Sequence, residues 1–266
     1  MTAPTACSNP RSQVRQAARI PLLDRRSNEG WTGDAGSAIV PRMTSLFVAT
    51  GNPHKVQEIR ALLGSDYVVL SQRDTEVRLE PEETGSTFAE NAGIKAVTWA
   101  SYLAMDECGL GAGFVLADDS GLEVDALGGA PGVHSARFAA LDDGRKGNSP
   151  DAENNAKLMR LLSAVPEEGR TARFRCLLAL TPVTAGLTPD DLADATRCFD
   201  GACEGRIATG AAGQGGFGYD PLFVPDGYTV SFAELGETVK NQLSHRARAL
   251  AKLRIYLDPR SSGPTR

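Results

Sequence analysis

The chain has no cysteine framework. Its five cysteines, Cys7, Cys108, Cys176, Cys198 and Cys203, form no CxxC pair. Their odd number and irregular spacing exclude a disulfide scaffold and a zinc knuckle, and they read as reduced, mostly buried thiols. A basic balance is also missing: 28 Lys and Arg stand against 33 Asp and Glu, for a net charge of −5. The overall charge therefore gives no support to a nucleic-acid groove, and an anionic small substrate must be met by a local cluster of Lys, Arg, helix N-termini or metal. No apolar run approaches the roughly 18 residues of a membrane span. The N-terminus lacks the apolar core of a secretory signal, so the reading is a cytoplasmic protein. Internal repeats and the GxxxxGK[ST] phosphate loop of common NTPases are absent as well.

What is present is an ordinary soluble composition, 41% hydrophobic and 23% charged over 266 residues, within reach of one large α/β unit. Residues 1–42 stand apart: they are rich in Arg, Ser, Gly and Pro, with no sustained period. Their three acidic residues weigh against a transit leader. The segment reads as a disordered extension or a start placed too early, because Met43 directly precedes the first convincing strand. The folded domain is expected over 43–258, with 259–266 a flexible tail.

From Ser45 the pattern alternates. "SLFVAT" is β-rich, "GNP" breaks it, and "HKVQEIRALL" sets Val56, Ile59, Leu62 and Leu63 at helical spacing. "YVVL" is a short strand. "STFAENAGIKAVTWASYLA" aligns Phe88, Ala92, Trp99 and Leu103 on one helix face. "GFVLA" is fully apolar, as in a strand buried on both faces. A helix follows, with Ser149 as cap and Pro150 at its first position. "RFRCLLALTPV" is a strong strand, "RCFDGACEGRIA" a weaker one, and a last helix carries Ala247, Leu250, Leu253 and Leu257 on one side. Strands interleaved with helices predict one α/β domain with a mixed or partly parallel sheet.

Five stretches can carry chemistry. In "VATGNPHKVQEI" a strand ends at Thr50, Gly51 frees the turn, Asn52 caps and Pro53 opens a helix. Its N-terminus is a natural anion seat, with Lys55 beside it; an ordinary strand–helix turn would look the same. "GFVLADDSG" carries Asp118 and Asp119 to the carboxyl edge of a sheet, where α/β proteins bind ligands. Neighbours on a strand point to opposite faces, so the two acids are expected to do different jobs. In "LEPEETGSTFAEN", Glu82 and Glu83 precede a helix capped by Thr84 or Ser86. With Asp119 they can supply the sparse oxygen ligands magnesium takes when it also holds phosphates. Lys95, two turns on, reaches the same phosphates or snorkels to solvent. "GQGGFGYDPLF" joins glycines, which admit a flat ligand, to the stacking faces of Phe217 and Tyr219. In "VKNQLSHRARAL", His245 and Arg246 sit in the first turn of a helix capped by Ser244, with Lys240 nearby. Cations there oppose the helix dipole and need a compensating anion or a base acceptor.

Taken in order, "ATGNPHK", "EETGSTFAENAGIKA", "LADDSGLEVDALGGAPGVHSARF", "GGFGYDPLF" and "SHRARAL" resemble the inosine triphosphate pyrophosphatase family, which acts on non-standard purine nucleoside triphosphates. The match spans Phe47 to about Leu250. The resemblance implies an elongated α/β fold, two lobes around a cleft, with a long curved mixed sheet flanked by helices. It implies a magnesium-dependent homodimer that hydrolyses ITP, dITP and XTP to monophosphate and pyrophosphate and so cleanses the nucleotide pool. Thr50, Gly51, Asn52, Pro53, His54 and Lys55 would hold the triphosphate, assisted by Lys95. Glu83 and Asp119 would hold magnesium, with Asp119 as proton acceptor and Asp118 as a further ligand or support. Ser120 would touch substrate. Phe217, Gly218, Tyr219, Asp220, Lys240, His245 and Arg246 would frame the base.

Two rivals stand beside this reading. A septum-inhibitor-like pyrophosphatase would show a Ser-rich, double-Arg turn where "ATGNPHK" stands. A nucleotide sensor without chemistry would not need Glu83, Asp118 and Asp119 intact. The long acidic connection "TPVTAGLTPDDLADATRCFDG" departs from a tight hairpin without touching the motifs.

Overall fold

The computed structural model describes residues 44–75, 77–105 and 111–258. The expected leader 1–42, Met43, the tail 259–266, Cys7 and Cys108 lie outside the described residues.

β1 (Thr44–Val48) buries Leu46, Phe47 and Val48 completely. A strand apolar at consecutive positions needs cover on both faces, which suits the parallel part of a sheet. It pairs in parallel with β2 (Tyr67–Ser71) on one side and β3 (Phe114–Val124) on the other. β4 (Thr171–Pro182) and β5 (Arg197–Ile207) continue antiparallel, and β6 (Phe223–Pro225) closes on the last three residues of β5. The order β2-β1-β3-β4-β5-β6 is the expected mixed α/β sheet.

Helices cover both faces. Phe47 turns to α2 (Phe88–Leu103), where it meets the fully buried Trp99 at a ring separation of 4.6 Å. Leu46 and Val48 face α1 (Pro53–Leu63) and the last helix, α6 (His245–Leu257), in a second cluster with Ile59, Leu63 and Leu250. Strands β3, β4 and β5 outrun β1 and carry a third cluster at their far end. There Leu122, Val124, Phe174 and Ile207 pack with Phe223, Phe232 of α5 (Phe232–Leu243) and Leu158 of α3 (Asp151–Leu161). Three shared strands thus join two packed lobes.

Several local expectations change. "GFVLA" does not stop before Asp118: β3 runs on to Val124, pairing with β4 along its whole length. Polar residues inside a buried strand persist when each finds a partner, and here cations wait on both faces. Thr87, not Thr84 or Ser86, caps α2, in a capping box with Glu90. Ser149 does not cap α3; Pro150 stands at that position, and the Ser149 hydroxyl accepts the Ala140 N–H at 2.9 Å. The acidic connection holds a short helix, α4 (Pro189–Ala195), capped by Thr188. The reading passed over α5, kinked at Gly236 (φ 77°), and β6, whose three residues are too few for a periodic signal. On α6 the buried positions include Ala249, Leu250 and Leu253, while Ala247 is half-exposed.

Candidate active site

The site forms where β1 stops and β3 continues. The last bond from this segment to β3 is Ala49 N–H to the Leu116 carbonyl, 2.9 Å. Carbonyls two residues apart along a strand point the same way, so the Asp118 carbonyl faces the gap β1 has left. It accepts instead from two side chains, Lys55 Nζ at 3.4 Å and Lys95 Nζ at 3.0 Å. Lys55 comes from the first turn of α1 and Lys95 from the middle of α2. Two ammonium groups therefore converge on one uncovered strand edge, just beyond the carboxyl end of β1, where open α/β sheets bind ligands.

The adjacent aspartates serve opposite faces, as their alternation predicts. Asp118 is fully buried on the α1–α6 face. Oδ1 accepts Lys55 Nζ at 2.6 Å and the Ser120 hydroxyl at 2.5 Å; Oδ2 accepts Arg246 Nε at 2.7 Å and the Cys176 thiol at 3.5 Å. Burial alone would raise its pKa, but the Arg246 and Lys55 cations outweigh it and hold the carboxyl well below the ordinary range. With both oxygens engaged, Asp118 supports the site and is not a free ligand. Asp119 lies on the α2 face, and its Oδ1 accepts Lys95 Nζ at 2.8 Å. Its Oδ2 is buried without a hydrogen-bond partner. Burial pushes the Asp119 carboxyl up, and Lys95 and Lys55 offset this only in part. Glu83 Oε1 takes the same Lys95 Nζ at 3.1 Å, while Oε2 takes Arg137 at 3.2 Å. Against the effect of burial, those two cations keep the Glu83 carboxyl low.

On the Asp118 side a cleft opens between the lobes, with Asn52 and Lys55 at one end and Phe217, Lys240 and Arg246 along its wall. A chain of alternating charges crosses it. Asp118 pairs with Arg246, and Arg246 with Glu58 of α1. Glu58 pairs with Lys240 at 2.8 Å, and Lys240 with Asp220 at 2.6 Å. The conflict of an arginine at a helix start is thus resolved by two anions. Three of the five guanidinium N–H donors are engaged, with Asp118, Glu58 and Ser120. His245 stacks on Phe174 (4.9 Å, 15°), and its Nδ1 is buried without a partner. Burial first, then Arg246 and Lys240, hold its imidazole neutral, well below the usual range. Phe217 stacks on the exposed His54 (5.3 Å), with the Lys240 ammonium 4.6 Å from its ring centre.

Most predicted residues therefore meet here. Asn52, Lys55, Ser120, Phe217, Gly218, Tyr219, Asp220, Lys240, His245 and Arg246 line the cleft; Glu83, Lys95 and Asp119 gather at the strand edge beside it. Two roles change. Tyr219 is not a free stacking platform: its ring belongs to the third core cluster and its hydroxyl donates to the Ser135 carbonyl at 2.9 Å. The start of α1 is not an open anion seat, because Asn52 Oδ1 already accepts the His54 and Lys55 N–H groups and Thr50 Oγ1 accepts that of Asn52. Gly51 and Pro53 shape this turn, and Pro53 has no N–H to offer. Sequence reasoning missed Glu58, Arg137 and Phe174. Glu58 had one available signal, its place one turn after Lys55 on α1.

Among the described residues no group of three or more His, Cys, Asp or Glu could hold a metal ion. The pair Glu83 and Asp119 nevertheless fits a hard divalent cation. Both carboxylates already converge on one positive group, and Asp119 keeps a buried oxygen without a partner. Magnesium is commonly held by one or two carboxylates plus substrate phosphates.

Paired acids, converging ammonium groups and a cleft edged with aromatic rings define an α/β protein shaped to hold a small polyanion with a flat headgroup. The comparisons agree. The Ham1 family model matches residues 46–256, and the chain belongs to that family. It is 47% identical over 215 residues to a dITP/XTP pyrophosphatase of Pseudomonas syringae pv. tomato, covering 81% of this chain and 98% of that protein. It is 44% identical over 208 residues to one of Desulforamulus reducens, with 78% and 92% covered. Among solved structures it resembles a HAM1 protein from Coxiella burnetii (TM-score 0.66, 37% identity, 82% of this chain and 100% of that one). It also resembles the dITP/XTP pyrophosphatase of Mycobacterium abscessus (TM-score 0.58, 38% identity, 79% and 98%). The resemblance read from the five motifs holds.

Proposed function

We infer that this chain is a nucleoside triphosphate pyrophosphohydrolase that converts dITP, XTP and ITP to the monophosphate and pyrophosphate. The observation that carries the reading is the meeting of Lys55 and Lys95 on the Asp118 carbonyl, with Asp119 and Glu83 on one side and the cleft on the other. Their ammonium groups suit the phosphate oxygens and would steady pyrophosphate as it leaves. Asp119 Oδ2, buried and unpartnered, would accept a hydrogen bond from the water that attacks phosphorus. A bond from that water to the α-phosphorus forms as the bond from the α-phosphorus to the pyrophosphate oxygen breaks, and the water gives up one proton to the solvent. Glu83 and Asp119 would hold magnesium, which when bound offsets the charge on phosphate oxygens.

The base would enter between Phe217 and the His245–Phe174 stack, facing the guanidinium donors that Arg246 has left. A 6-keto oxygen accepts such donors, whereas a 6-amino group does not. Each buried donor left unpaired costs about 1–3 kcal/mol, so two mismatches against adenine give discrimination on the order of 10²-fold or more. We place this unit at 43–258 and propose that it works as a homodimer. A sedimentation mass near 28.1 kDa, not twice that, would count against the dimer.

The enzymatic test is pyrophosphate release from dITP and dATP, with and without magnesium. Release should favour dITP and require magnesium. Asp119→Asn should abolish it while the protein stays folded; near-normal release by that variant would remove Asp119 from the mechanism.

A further inference from the structure

Lys95 is not alone on its face of α2. Four residues earlier, on the same side of the helix, Asn91 is fully buried, and its Oδ1 accepts the Gly85 N–H at 2.8 Å. Gly85 lies two residues after Glu83, whose carboxylate Lys95 holds at 3.1 Å. One helix face thus grips the acid-bearing arm twice, by an ammonium at 83 and by an amide at 85.

Two further observations set this contact apart from incidental packing. Asn91 Nδ2 is buried with no hydrogen-bond partner, and a side chain used only to fill space gains nothing from such a group. Gly85, in turn, has no room for a side chain. A Cβ there would lie 2.6 Å from Glu90 Cβ and 2.7 Å from Asn91 Oδ1. Its φ is not in the left-handed region, so closeness to α2 is what demands glycine.

We propose that Asn91 is a positioning residue for the magnesium carboxylate Glu83: its amide oxygen clamps the 83–85 arm onto α2, so that Glu83 meets Asp119 at a fixed separation. Residues that orient a ligating carboxylate usually matter about 10- to 100-fold for metal affinity. The inference rests on Glu83 and Asp119 holding the metal.

The test measures Mn2+ affinity by electron paramagnetic resonance with a non-hydrolysable dITP analogue present at one fixed concentration for every variant, beside turnover as a function of Mg2+. Asn91→Ala should weaken Mn2+ binding by about 10-fold or more. Its turnover should fall at limiting Mg2+ and recover as Mg2+ is raised, at a temperature where circular dichroism shows the variant folded without metal, so that stabilisation of the native state by the ion does not explain the recovery. Gly85→Ala strains the same contact from the arm's side, at a half-buried position, and should shift the affinity in the same direction even if Asn91→Ala folds poorly. Glu83→Gln separates loss of the clamp from loss of the metal ligand. If Glu83→Gln weakens Mn2+ binding while Asn91→Ala and Gly85→Ala bind it as the wild type does, the clamp is overturned and the metal reading stands. If Glu83→Gln leaves the affinity unchanged, both fall.

Discussion

Two adjacent aspartates illustrate how differently one residue type can be used. Asp118 is compensated on every side, whereas Asp119 keeps a bare oxygen. Asp118→Asn should therefore act mainly through stability, because it leaves Lys55 and Arg246 without their shared anion. Removing one partner of a buried ion pair costs roughly 3–5 kcal/mol, which urea denaturation reads directly; a loss under about 1 kcal/mol would deny Asp118 its supporting role. Glu58 gives a pH-dependent counterpart. Burial alone would raise its pKa, but Arg246 and Lys240 hold it below its ordinary 4.5. A carboxyl depressed on folding stabilises above its unfolded pKa and loses that contribution as pH falls through the folded value. Stability should thus decline on acidification below about 4.5, and Glu58→Gln should be less stable at neutral pH but decline less steeply. Equal slopes would show that Glu58 is not held this way. The opposite facing of the aspartates was legible in the sequence, since strand alternation needs only neighbours. Their partners were not: Lys55 and Arg246 lie 63 and 128 positions from Asp118, and no local pattern reports such distances.

At the scale of elements, the site depends on a mismatch of strand lengths and on how closely α6 approaches the sheet. The first strand, the helix after it and the Ser244 cap were readable from period and capping chemistry. The length of β3 was not, because Asp-Asp-Ser looks like a strand's end until its buried cations are known. Gly201 on β5 shows the same limit. A glycine inside a strand signals close approach, but only the fold reveals that α6 is what approaches. A Cβ there would collide with the His245 carbonyl and come within 2.7 Å of the Ala249 nitrogen. Gly201→Ala should push α6 outward, costing about 1–3 kcal/mol by overpacking. Because His245 and Arg246 ride on the first turn of α6, KM for dITP should rise more than kcat falls. An unchanged KM would mean that the helix start does not govern base binding.

For the whole molecule, the five motifs mapped onto one site because three long strands carry both lobes, and a chain of five alternating charges bridges them. The motif order disclosed the site's parts; the bridge, built through Glu58, did not appear until the lobes were seen together. Among the described residues no helix is long and apolar enough to cross a membrane. We propose a spatial division of the substrate, with its phosphates at the uncovered edge of β3 and its base in the cleft. A crystal structure with magnesium and a non-hydrolysable dITP analogue measures this directly. Phosphate oxygens should lie within reach of Lys55 and Lys95, the ion on Glu83 and Asp119, and the base beside Phe217 and His245. A triphosphate bound elsewhere, with those carboxylates still paired only to lysine and arginine, would contradict it.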